Sequence, residues 1–585
     1  MFRNIKEILK QVIKLDSKNF LFVQIISIIS AFLELFAIIS FAIYINYLSF
    51  PDKLNSNELY LKSINFLGLS DNIGIFLPIF LIVIFFCSTF FSILTLWYLN
   101  KFSVRIGYFL GEKMFEGYLY QNWFTLKNNS RDKLFNNIND ESKRVGGLIG
   151  SILQINLNFL LTLFLLSSSL FVNFKATLLG IIIFTIIYFL FFKQLQLLVF
   201  KLGKEITILN QSRINIAFQG LESIKEVLIY GLQNKFNINF KKIGERISKV
   251  HALNKMLAQS LRYILHFLLV FLFTIFVLIF ENVQGLEFEQ ILPQIIFFAL
   301  ISLKIMPAFN NIYSNLMNIK GNLPAYFNLK SDINNFVFKN IIKNKIINNK
   351  KININKSIKI INFSFNYSKY KKKTYQIFNN SNFQADIGDV VYISGKSGSG
   401  KTTFLEILIR LLESKNMHYY IDGKKISSDT NLFKLFSYVP QKTFISPSSI
   451  EKNIVLDEFK NKRGSDYKFK LNQVVKLLGI SDFLKKNKNN LSYNPGDMGI
   501  RLSGGQKQRI GIARALFADR KLIILDEATN ALDKKSEHKI IKNIKKYSKN
   551  RILILVSHNS GILKYCNKHY KIINKKLVKI NEKNK

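Results

Sequence analysis

Cysteine and acidic residues are scarce in this sequence of 585 residues. Only two cysteines are present, Cys87 and Cys566, which excludes a disulfide framework and a cysteine-based metal site. Asp and Glu together number 37 against 82 Lys and Arg, a formal net charge of +45. Because Lys, Asn and Ile are abundant in every part of the chain, we interpret this excess as a compositional bias. It favours an anionic membrane surface over nucleic acid as the partner.

We expect no cleavable signal peptide at the start of this sequence. The first 19 residues are Lys-rich and amphipathic, and the apolar run that follows is too long for a signal sequence. Long apolar runs are what the chain has in abundance, and six of them reach the roughly 20 residues that cross a bilayer. We predict spans at 20–48, 74–98, 149–171, 174–195, 260–281 and 290–312.

The charges on the connections predict how these spans are oriented. The N-terminal stretch and the connections 99–146 and 196–259 are rich in Lys and Arg, whereas 282–289 contains neither. The positive-inside rule therefore predicts that the N-terminus, both long connections and the C-terminal part lie in the cytoplasm.

Three short stretches in the connections are candidates for contacts. Trp123 and Phe124, and the stretch 218–227, lie at the far points of the two inner connections. Each is expected either to touch a soluble partner or to form a plain turn between helices. The outer stretch 59–67 has an apolar face that predicts a short helix at the membrane surface.

Charged residues inside predicted spans are candidates for a substrate cavity, because hydrocarbon disfavours them. Glu34 lies in the first span, Arg262 in the fifth and Lys304 in the sixth. Two other readings stay open. Arg262 reaches the membrane surface by extending its side chain, or Glu34 and Lys304 form an ion pair that only holds helices together.

A glycine-rich segment follows the apolar run 390–393 and precedes a helix-like run that starts at Phe404. It consists of Gly395, Lys396, Ser397, Gly398, Ser399, Gly400, Lys401, Thr402 and Thr403. Between a strand and a helix, such a backbone presents N–H groups and the positive helix end to phosphate. Lys401 can then reach the β- and γ-phosphates, and the Thr402 hydroxyl can bind Mg²⁺. The segment predicts a site for ATP and Mg²⁺.

Two later stretches complete this prediction. Residues 522–527 have the pattern of a buried parallel strand that ends in two carboxylates, Asp526 and Glu527. Asp526 is expected to hold Mg²⁺ through water, and Glu527 to polarise the attacking water. Upstream, a predicted second anion site opens a helix with Ser503, Gly504, Gly505 and Gln506. The phosphate loop of its own chain already holds nucleotide, so we expect this site to close over ATP bound to a second copy.

With these motifs the chain resembles ATP-binding cassette (ABC) exporter half-transporters over nearly its whole length. The resemblance implies a membrane α-helical bundle of six transmembrane helices with the type IV exporter fold, followed by an α/β P-loop nucleotide-binding domain. The implied divisions are a membrane domain at 1–320, a linker at 321–356 and the nucleotide-binding domain at 357–585. It also implies ATP and Mg²⁺ as cofactors and a second half-transporter as partner, most simply in a homodimer.

The resemblance also implies roles for individual residues. Tyr367 stacks on adenine, Gln441 is a catalytic residue and a metal ligand, and His558 is the catalytic switch histidine. Residues 530–533 match the family's D-loop. Three positions depart from the usual pattern: Asn530 replaces Ser, Asn559 replaces Arg and Asp497 replaces Glu. None of these departures removes a catalytic group, so we expect ATP hydrolysis.

Within the family, the stretches 34–38 and 303–307 are similar to bacterial flippases of lipid-linked oligosaccharides, as are Arg262 and the outer stretch 59–67. This similarity implies a bacterial inner membrane location and the flipping of such a lipid. Export of a lipid A-like lipid or of a peptide stays open. Other classes fit less well: DNA-repair cassette ATPases lack spans, importers usually carry the two parts on separate chains, and a gated channel has less need of Glu527 and His558.

Overall fold

The computed structural model describes residues 2–49, 73–172, 174–260, 263, 264, 267, 270, 271, 274, 288–338, 352–368, 374–414, 416–427, 430–456, 465–484 and 491–580. Its backbone contacts divide the chain into two units. The N-terminal unit comprises Met1–Gln121 and Asn128–Ile341, and the C-terminal unit comprises Asn122–Lys127 and Ile342–Lys585. The outer stretch 59–67, Arg262 and most of the predicted fifth span lie outside the described residues.

The described part of the N-terminal unit is helical. Its helices, with one short helix that clusters mainly with the other unit, are α1 (Phe2–Leu15), α2 (Ser17–Ser49), α3 (Ile73–Leu119), α4 (Trp123–Asn128), α5 (Arg131–Asn136), α6 (Ser142–Val172), α7 (Phe174–Glu222), α8 (Ile224–Ile229), α9 (Gln233–Gln259) and α10 (Phe288–Asp332). Two π-helical turns, Asn137–Glu141 and Ile333–Phe338, precede α6 and follow α10. Among the described residues, three helical stretches are long and apolar enough to cross a membrane: Ser17–Ile45, Ile75–Leu119 and Arg131–Leu170.

The helices pack through buried apolar side chains and also through glycines, of which the approach of α7 to α10 is the tightest backbone contact described. Helices α2, α6 and α10 share one apolar cluster, and α7, α9 and α10 share another. The backbones of α7 and α10 come so close that a Cβ atom built on Gly203 would lie 2.1 Å from the Gly321 carbonyl oxygen. Only glycine permits this approach, because any side chain would push the two helices apart.

The last helix of the N-terminal unit is longer than the sequence indicated. Residues 321–332, which we predicted as the start of a linker, continue α10 as far as Asp332. Leu323, Tyr326 and Leu329 recur at helical spacing and are almost completely buried. The Asn- and Lys-rich composition of 321–356 as a whole had obscured the apolar stripe of 321–332, and burial of that stripe keeps the helix intact.

The C-terminal unit contains two β-sheets and several helices. Its strands are β1 (Ser357–Ser368), β2 (Thr374–Asp386), β3 (Val390–Ser394), β4 (His418–Ile421), β5 (Lys424–Lys425), β6 (Phe436–Val439), β7 (Leu522–Asp526), β8 (Ile552–Val556), β9 (Lys568–Ile573) and β10 (Lys576–Ile580). Its further helices are α11 (Lys401–Leu408), α12 (Ile450–Val455), α13 (Ser465–Leu477), α14 (Ile480–Leu484), α15 (Gly504–Phe517) and α16 (Lys534–Tyr547).

The larger sheet aligns the carboxyl ends of the strands that carry the predicted motifs. Its order is β10-β9-β3-β8-β7-β6, and all neighbours except β10 and β9 are parallel. Asp526 lies opposite Val556, Val556 opposite Ile393, and Leu525 opposite Val439. The loops that leave β3, β6, β7 and β8 therefore start at one edge of the sheet, where open α/β sheets bind their ligands. A smaller antiparallel sheet has the order β2-β1-β4-β5.

Candidate ATP-binding site

The phosphate loop connects β3 to α11 and surrounds the Lys401 ammonium group. Lys401 Nζ donates to the carbonyl oxygens of Gly395 at 3.1 Å and Lys396 at 3.3 Å. Gly400 has a φ of +104°, and a Cβ atom there would lie 2.5 Å from Ile377. Glycine at this position lets the chain turn directly into the helix N-terminus. Lys396, Ser397 and Gly398 are exposed, so the outer side of the loop is open to a ligand.

The groups around the loop fit a phosphate with Mg²⁺. The Ser399 hydroxyl is buried and has no hydrogen-bond partner among the described residues, which suits a donor for an anionic oxygen. Thr402 Oγ1 donates to Asp526 Oδ2 at 3.1 Å, and Tyr438 donates to the same oxygen at 2.9 Å. One hydroxyl and one carboxylate are a typical protein contribution to a Mg²⁺ site that is completed by phosphate oxygens and water.

Burial raises the pKa of Asp526 above its ordinary value. Hydrogen bonds from Tyr438 and Thr402 oppose this rise, and the neighbouring carboxylates of Glu527 and Glu406 add to it. A divalent cation bound to Asp526 would supply positive charge beside these carboxylates. The electrostatics of Asp526 therefore agree with its predicted role as a metal ligand.

Glu527 lies at the centre of the site with three side chains on its carboxylate. Gln441 Nε2 donates to Oε2 at 2.8 Å, Asn530 Nδ2 donates to Oε2 at 3.0 Å, and His558 Nε2 lies 3.0 Å from Oε1. Glu527 itself has a φ of +52°, which is uncommon for a residue other than glycine and typical of functional positions. Three loops thus fix one carboxylate beside the predicted Mg²⁺ site.

Two of the departures from the family pattern make contacts at this site. Asn530, which replaces Ser, is one of the donors to Glu527. Asn559, which replaces Arg, donates to Glu537 Oε2 at 2.7 Å, and Thr529 donates to the other oxygen of Glu537 at 2.7 Å. Asp497, the third departure, is exposed in a 3₁₀ turn that precedes α15.

Tyr367, the predicted adenine-stacking residue, lies beside the start of α11. Its hydroxyl is 3.4 Å from Thr403 Oγ1. The Phe124 ring stacks against the Tyr367 ring at a centroid distance of 6.4 Å, and Lys127 Nζ lies 3.3 Å from the Tyr367 hydroxyl. Residues 122–127 belong to the C-terminal unit. The predicted contact point of the first inner connection therefore touches the residue that is predicted to stack on adenine in the same chain.

The same short segment also reaches the buried carboxylate of Glu406 in α11. Trp123 Nε1 donates to Glu406 Oε1 at 2.9 Å, and Lys127 Nζ donates to Oε2 at 3.4 Å. Burial lowers the pKa of Lys127, but Glu406 and Tyr367 raise it more, so that it lies above its ordinary value. Lys127 is therefore charged at neutral pH and can pair with Glu406.

The predicted second anion site opens helix α15. Ser503 caps this helix: its hydroxyl accepts from Gln506 N at 3.3 Å, and Gln506 Oε1 accepts from Ser503 N at 2.9 Å. Gly504 and Gly505 pack against Ala531, where Cβ atoms would come within 3.2 Å and 3.1 Å. A cavity of about 810 Å³ lies at this helix start, and no residue of the phosphate loop lines it.

Among the predicted cavity residues of the membrane spans, two meet directly. Lys304 Nζ lies 3.4 Å from Glu34 Oε2, and Ser92 donates to Glu34 Oε1 at 2.8 Å. The Glu34 carboxylate of α2 thus links this helix to α3 and α10 within otherwise apolar contacts. This geometry agrees with the ion-pair alternative for Glu34 and Lys304.

Sequence reasoning missed several residues of the ATP site. Tyr438 had no role in the prediction. Asn530 entered it only as a D-loop position that departs from the family pattern, and Trp123 and Phe124 only as a possible contact with a soluble partner. For Tyr438 the useful signal was its position one residue before the end of a strand pattern, three residues ahead of Gln441. The pairing of β6 with β7 decides that its hydroxyl meets Asp526, and strand order cannot be derived from one sequence.

Comparison with known proteins agrees with this geometry. The family model described as "ABC transporter" matches residues 378–530. An export ATP-binding/permease protein of Rickettsia typhi is 38% identical over 204 residues, which are 34% of each chain. The leukotoxin translocation ATP-binding protein of Mannheimia haemolytica is 37% identical over 201 residues, 34% of this chain and 27% of that protein. The chain thus spans about a third of the length of the curated relatives it matches.

A solved structure extends the likeness to the whole fold. The structure of a bacterial Atm1-family ABC exporter with ATP bound superimposes with a TM-score of 0.74 and covers 96% of this chain and 95% of its own, at 16% sequence identity. The fold is therefore that of an ABC exporter, which confirms the predicted fold class. The chain thus combines a segment at 378–530 that matches the ABC transporter family model with the fold of an ABC exporter.

Proposed function

We propose that this chain is one half of a homodimeric exporter in a bacterial inner membrane that hydrolyses ATP to move an amphiphile outward. The observation that carries this proposal is the Glu527 carboxylate, which Gln441, Asn530 and His558 hold beside Asp526 and Thr402. A carboxylate fixed in this way can accept a hydrogen bond from a water molecule that attacks the γ-phosphate. The phosphate loop and Lys401 would hold the phosphates, and Tyr367 the adenine.

The side chains divide the work of hydrolysis between them. Thr402 and Asp526 would hold Mg²⁺, which when bound neutralises charge on the phosphates. Gln441 is the further predicted metal ligand, and here it orients Glu527. His558 Nε2 faces the other oxygen of Glu527 and is half-exposed, so it can also reach the γ-phosphate. Glu527 positions the water for in-line attack.

Glu527→Gln tests this assignment. The amide keeps the size of the side chain but not its basicity, so we expect ATP binding to persist and turnover to fall by about 10²- to 10⁴-fold. Single-turnover hydrolysis by the purified chain measures the effect. Asp497→Asn removes an exposed carboxylate of the same unit and is the matched control, expected to turn over at the parent rate. Hydrolysis by Glu527→Gln at the parent rate would show that another group activates the water.

The second anion site supports a dimer. The cavity at Ser503 lies between α15 and the D-loop and is lined by none of the phosphate-loop residues, so it is free to receive phosphate held by a second copy. The far point of the second inner connection also exposes apolar side chains at Ile224, Leu228 and Ile229. Such a surface is typical of a contact with a partner.

Ser503→Arg tests the shared site. The bulky cation at the helix start would block approach of a facing γ-phosphate, while Lys401 and Tyr367 stay intact. We expect nucleotide binding without turnover and without ATP-dependent association of the cassettes, as measured by crosslinking. Ser427→Arg, at an exposed position away from α15, should behave like the parent. Full activity of Ser503→Arg would contradict the shared site.

For the substrate we propose a lipid-linked oligosaccharide with an anionic pyrophosphate head. Arg262 and Lys304 supply cations within predicted spans, and a pyrophosphate would form charge-assisted hydrogen bonds with them. The ion pair of Lys304 with Glu34 means that the head must compete with a carboxylate for Lys304. Export of a lipid A-like lipid is the alternative, and the similarity to a leukotoxin translocation protein favours a peptide as a further candidate.

Removal of both cations separates these candidates. In proteoliposomes, Arg262→Ala with Lys304→Ala should abolish flipping of the lipid-linked sugar and leave basal ATP hydrolysis intact. Lys101→Ala with Lys201→Ala, outside the predicted spans, is the matched control. Unchanged flipping by the first variant would contradict the role of the charges. Peptide transport by the parent without lipid flipping would replace the proposed substrate.

A further inference from the structure

A second cavity lies in the N-terminal unit, where α1, α2 and α6 meet. Its volume is about 310 Å³. It is lined by Leu9, Phe20, Gln24, Ile152, Leu153, Ile155, Asn156 and Phe159. All of these side chains are apolar except the amides of Gln24 and Asn156, so the cavity has hydrocarbon walls and one pair of polar groups. Neither the ATP site nor the Glu34–Lys304 pair contributes to it.

The two amides form a hydrogen-bonded pair in this wall. Asn156 Nδ2 donates to Gln24 Oε1. Each primary amide has two N–H groups and an acceptor oxygen, so one mutual bond leaves most of their capacity unused. Polar groups in apolar surroundings favour a ligand that offers hydrogen-bond partners. An ester carbonyl is such a partner, and it can enter a cavity whose remaining walls suit an acyl chain.

The depth of the pair in the predicted spans agrees with an ester group. Gln24 is four residues beyond the predicted start of the first span, and Asn156 is seven beyond the start of the third. At about 1.5 Å per residue, the two amides lie roughly 6 Å and 10 Å below the inner membrane surface. This is the boundary between headgroups and acyl chains, where glycerol esters of phospholipids lie.

A row of lysines lies on α1, the helix that contributes Leu9 to the cavity wall. Lys6, Lys10 and Lys14 are exposed and follow one another every four residues on α1, while Ile8 and Val12 on the other face are buried. Leu9 of the cavity wall is about 60° from Lys6 around the helix axis. The nearby Glu7 is paired with Lys330 at 2.8 Å, so it leaves the lysine row positive.

We propose that this cavity binds one anionic phospholipid of the inner leaflet as a resident ligand. Lys6 and Lys10 bind its phosphate, the Gln24–Asn156 pair binds an ester carbonyl, and the upper acyl chain packs against Phe20 and Phe159. The lipid ties α1 to α2 and α6. This site depends on the membrane placement of the helices and not on the transported substrate, so transport assays and lipid retention test different statements.

The test measures lipid retained by the full chain. The protein is reconstituted in nanodiscs of phosphatidylcholine and phosphatidylglycerol, and bound lipid is counted by native mass spectrometry. Gln24→Leu with Asn156→Leu should weaken retention of phosphatidylglycerol about tenfold, as expected from the loss of hydrogen bonds to one carbonyl. Asn158→Leu removes an amide of the same helix that does not line the cavity and should retain lipid like the parent.

Two further variants separate the binding of the lipid headgroup from the binding of the acyl chain. Lys6→Gln with Lys10→Gln should remove the preference for phosphatidylglycerol over phosphatidylcholine, whereas Lys201→Gln with Lys225→Gln, two exposed lysines of α7 and α8, should keep it. Ile155→Phe fills the cavity and should displace both lipids. The proposal is overturned if the amide variant retains lipid like the parent, if the parent shows no headgroup preference, or if Ile155→Phe retains lipid unchanged.

Discussion

Two carboxylates, one in each unit, show how differently this chain uses negative charge. Glu141 of the N-terminal unit has a completely buried side chain and bonds Arg144 at 3.2 Å. Arg144 also donates to the carbonyl oxygens of Gly203 and Gly321 and to the side chains of Thr207 and Asn322. The pair therefore fastens α6 to α7 and α10 at the place where two glycines bring the latter helices together.

Glu527 of the C-terminal unit has another environment. Its side chain is 15% exposed, and its partners are two neutral amides and an imidazole. No permanent cation is bound to it in the described part of the site. The cation beside Glu141 joins helices, whereas the neutral donors around Glu527 only orient its carboxylate, as the proposed activation of a water molecule requires.

The largest effect on stability is expected from breaking the Glu141–Arg144 pair. Arg144→Met leaves Glu141 buried without its cation and should cost about 3–5 kcal/mol. The thermal unfolding of the detergent-purified chain measures this loss. Glu141→Gln combined with Arg144→Met removes both charges and should recover much of it. The exposed Lys113 pairs with Glu116, and Lys113→Met should cost less than about 1 kcal/mol.

Glu406 gives an intermediate case, because it is buried like Glu141 but bound mainly through Trp123 and Lys127. Trp123→Phe removes the indole N–H and should destabilise the docking of residues 122–127 by about 1–3 kcal/mol. Faster hydrogen exchange of this segment would report it. Trp97→Phe, at an indole that is more than half-exposed, is the control. Equal exchange in both variants would show that the Trp123 bond contributes little.

Loss of one donor to Glu527 should have a smaller effect, on turnover rather than stability. Asn530→Ala removes one hydrogen bond, worth about 0.5–1.5 kcal/mol net, so we expect a reduction of turnover of about three- to tenfold with unchanged nucleotide affinity. Steady-state ATP hydrolysis measures both. Asn543→Ala, which removes a side-chain bond to the Leu477 carbonyl in the same unit, should leave turnover unchanged. A parent-like rate for Asn530→Ala would show that Asn530 does not contribute to turnover.

The smallest effect is expected at an ion-paired carboxylate on the surface. Partial burial raises the pKa of Asp519, but hydrogen bonds from Arg551 and Lys470 lower it more, so that it lies below its ordinary value. The folded chain therefore gives up this proton more readily than the unfolded chain does. The contribution of the Asp519 carboxylate to the free energy of unfolding is complete above the unfolded pKa near 3.8. It is lost as the pH falls through the pKa of the folded state.

Asp519→Asn should accordingly lower the stability at neutral pH by a small amount, leave the stability at the acid end nearly unchanged, and so flatten the acid side of the profile. Thermal unfolding between pH 3 and 7, compared with Asp466→Asn in α13, measures the difference. A profile as steep as that of the parent would assign the acid sensitivity to other carboxylates.

The sequence by itself determined the chemical composition of the ATP site. Glycines before Lys401, four apolar residues before Asp526 and a serine before Gly504 are local patterns, and each depends on neighbours within about ten residues. Local backbone physics acts at this range, through helix N-termini, buried strands and glycine turns. The type of fold followed, because apolar runs long enough to cross a membrane preceded these patterns.

Tertiary structure alone decided which groups meet. Asn530 and Asn559 were departures from a pattern in the sequence and are donors to Glu527 and Glu537 in the structure. Residues 321–332 were predicted as a linker and are helical, because other helices bury their apolar stripe. Trp123 and Glu406 are 283 positions apart in the chain. No local pattern in the sequence can reveal that their side chains meet. Hydrogen bonds and burial depend on distance in space, and a single sequence specifies only the order of residues along the chain.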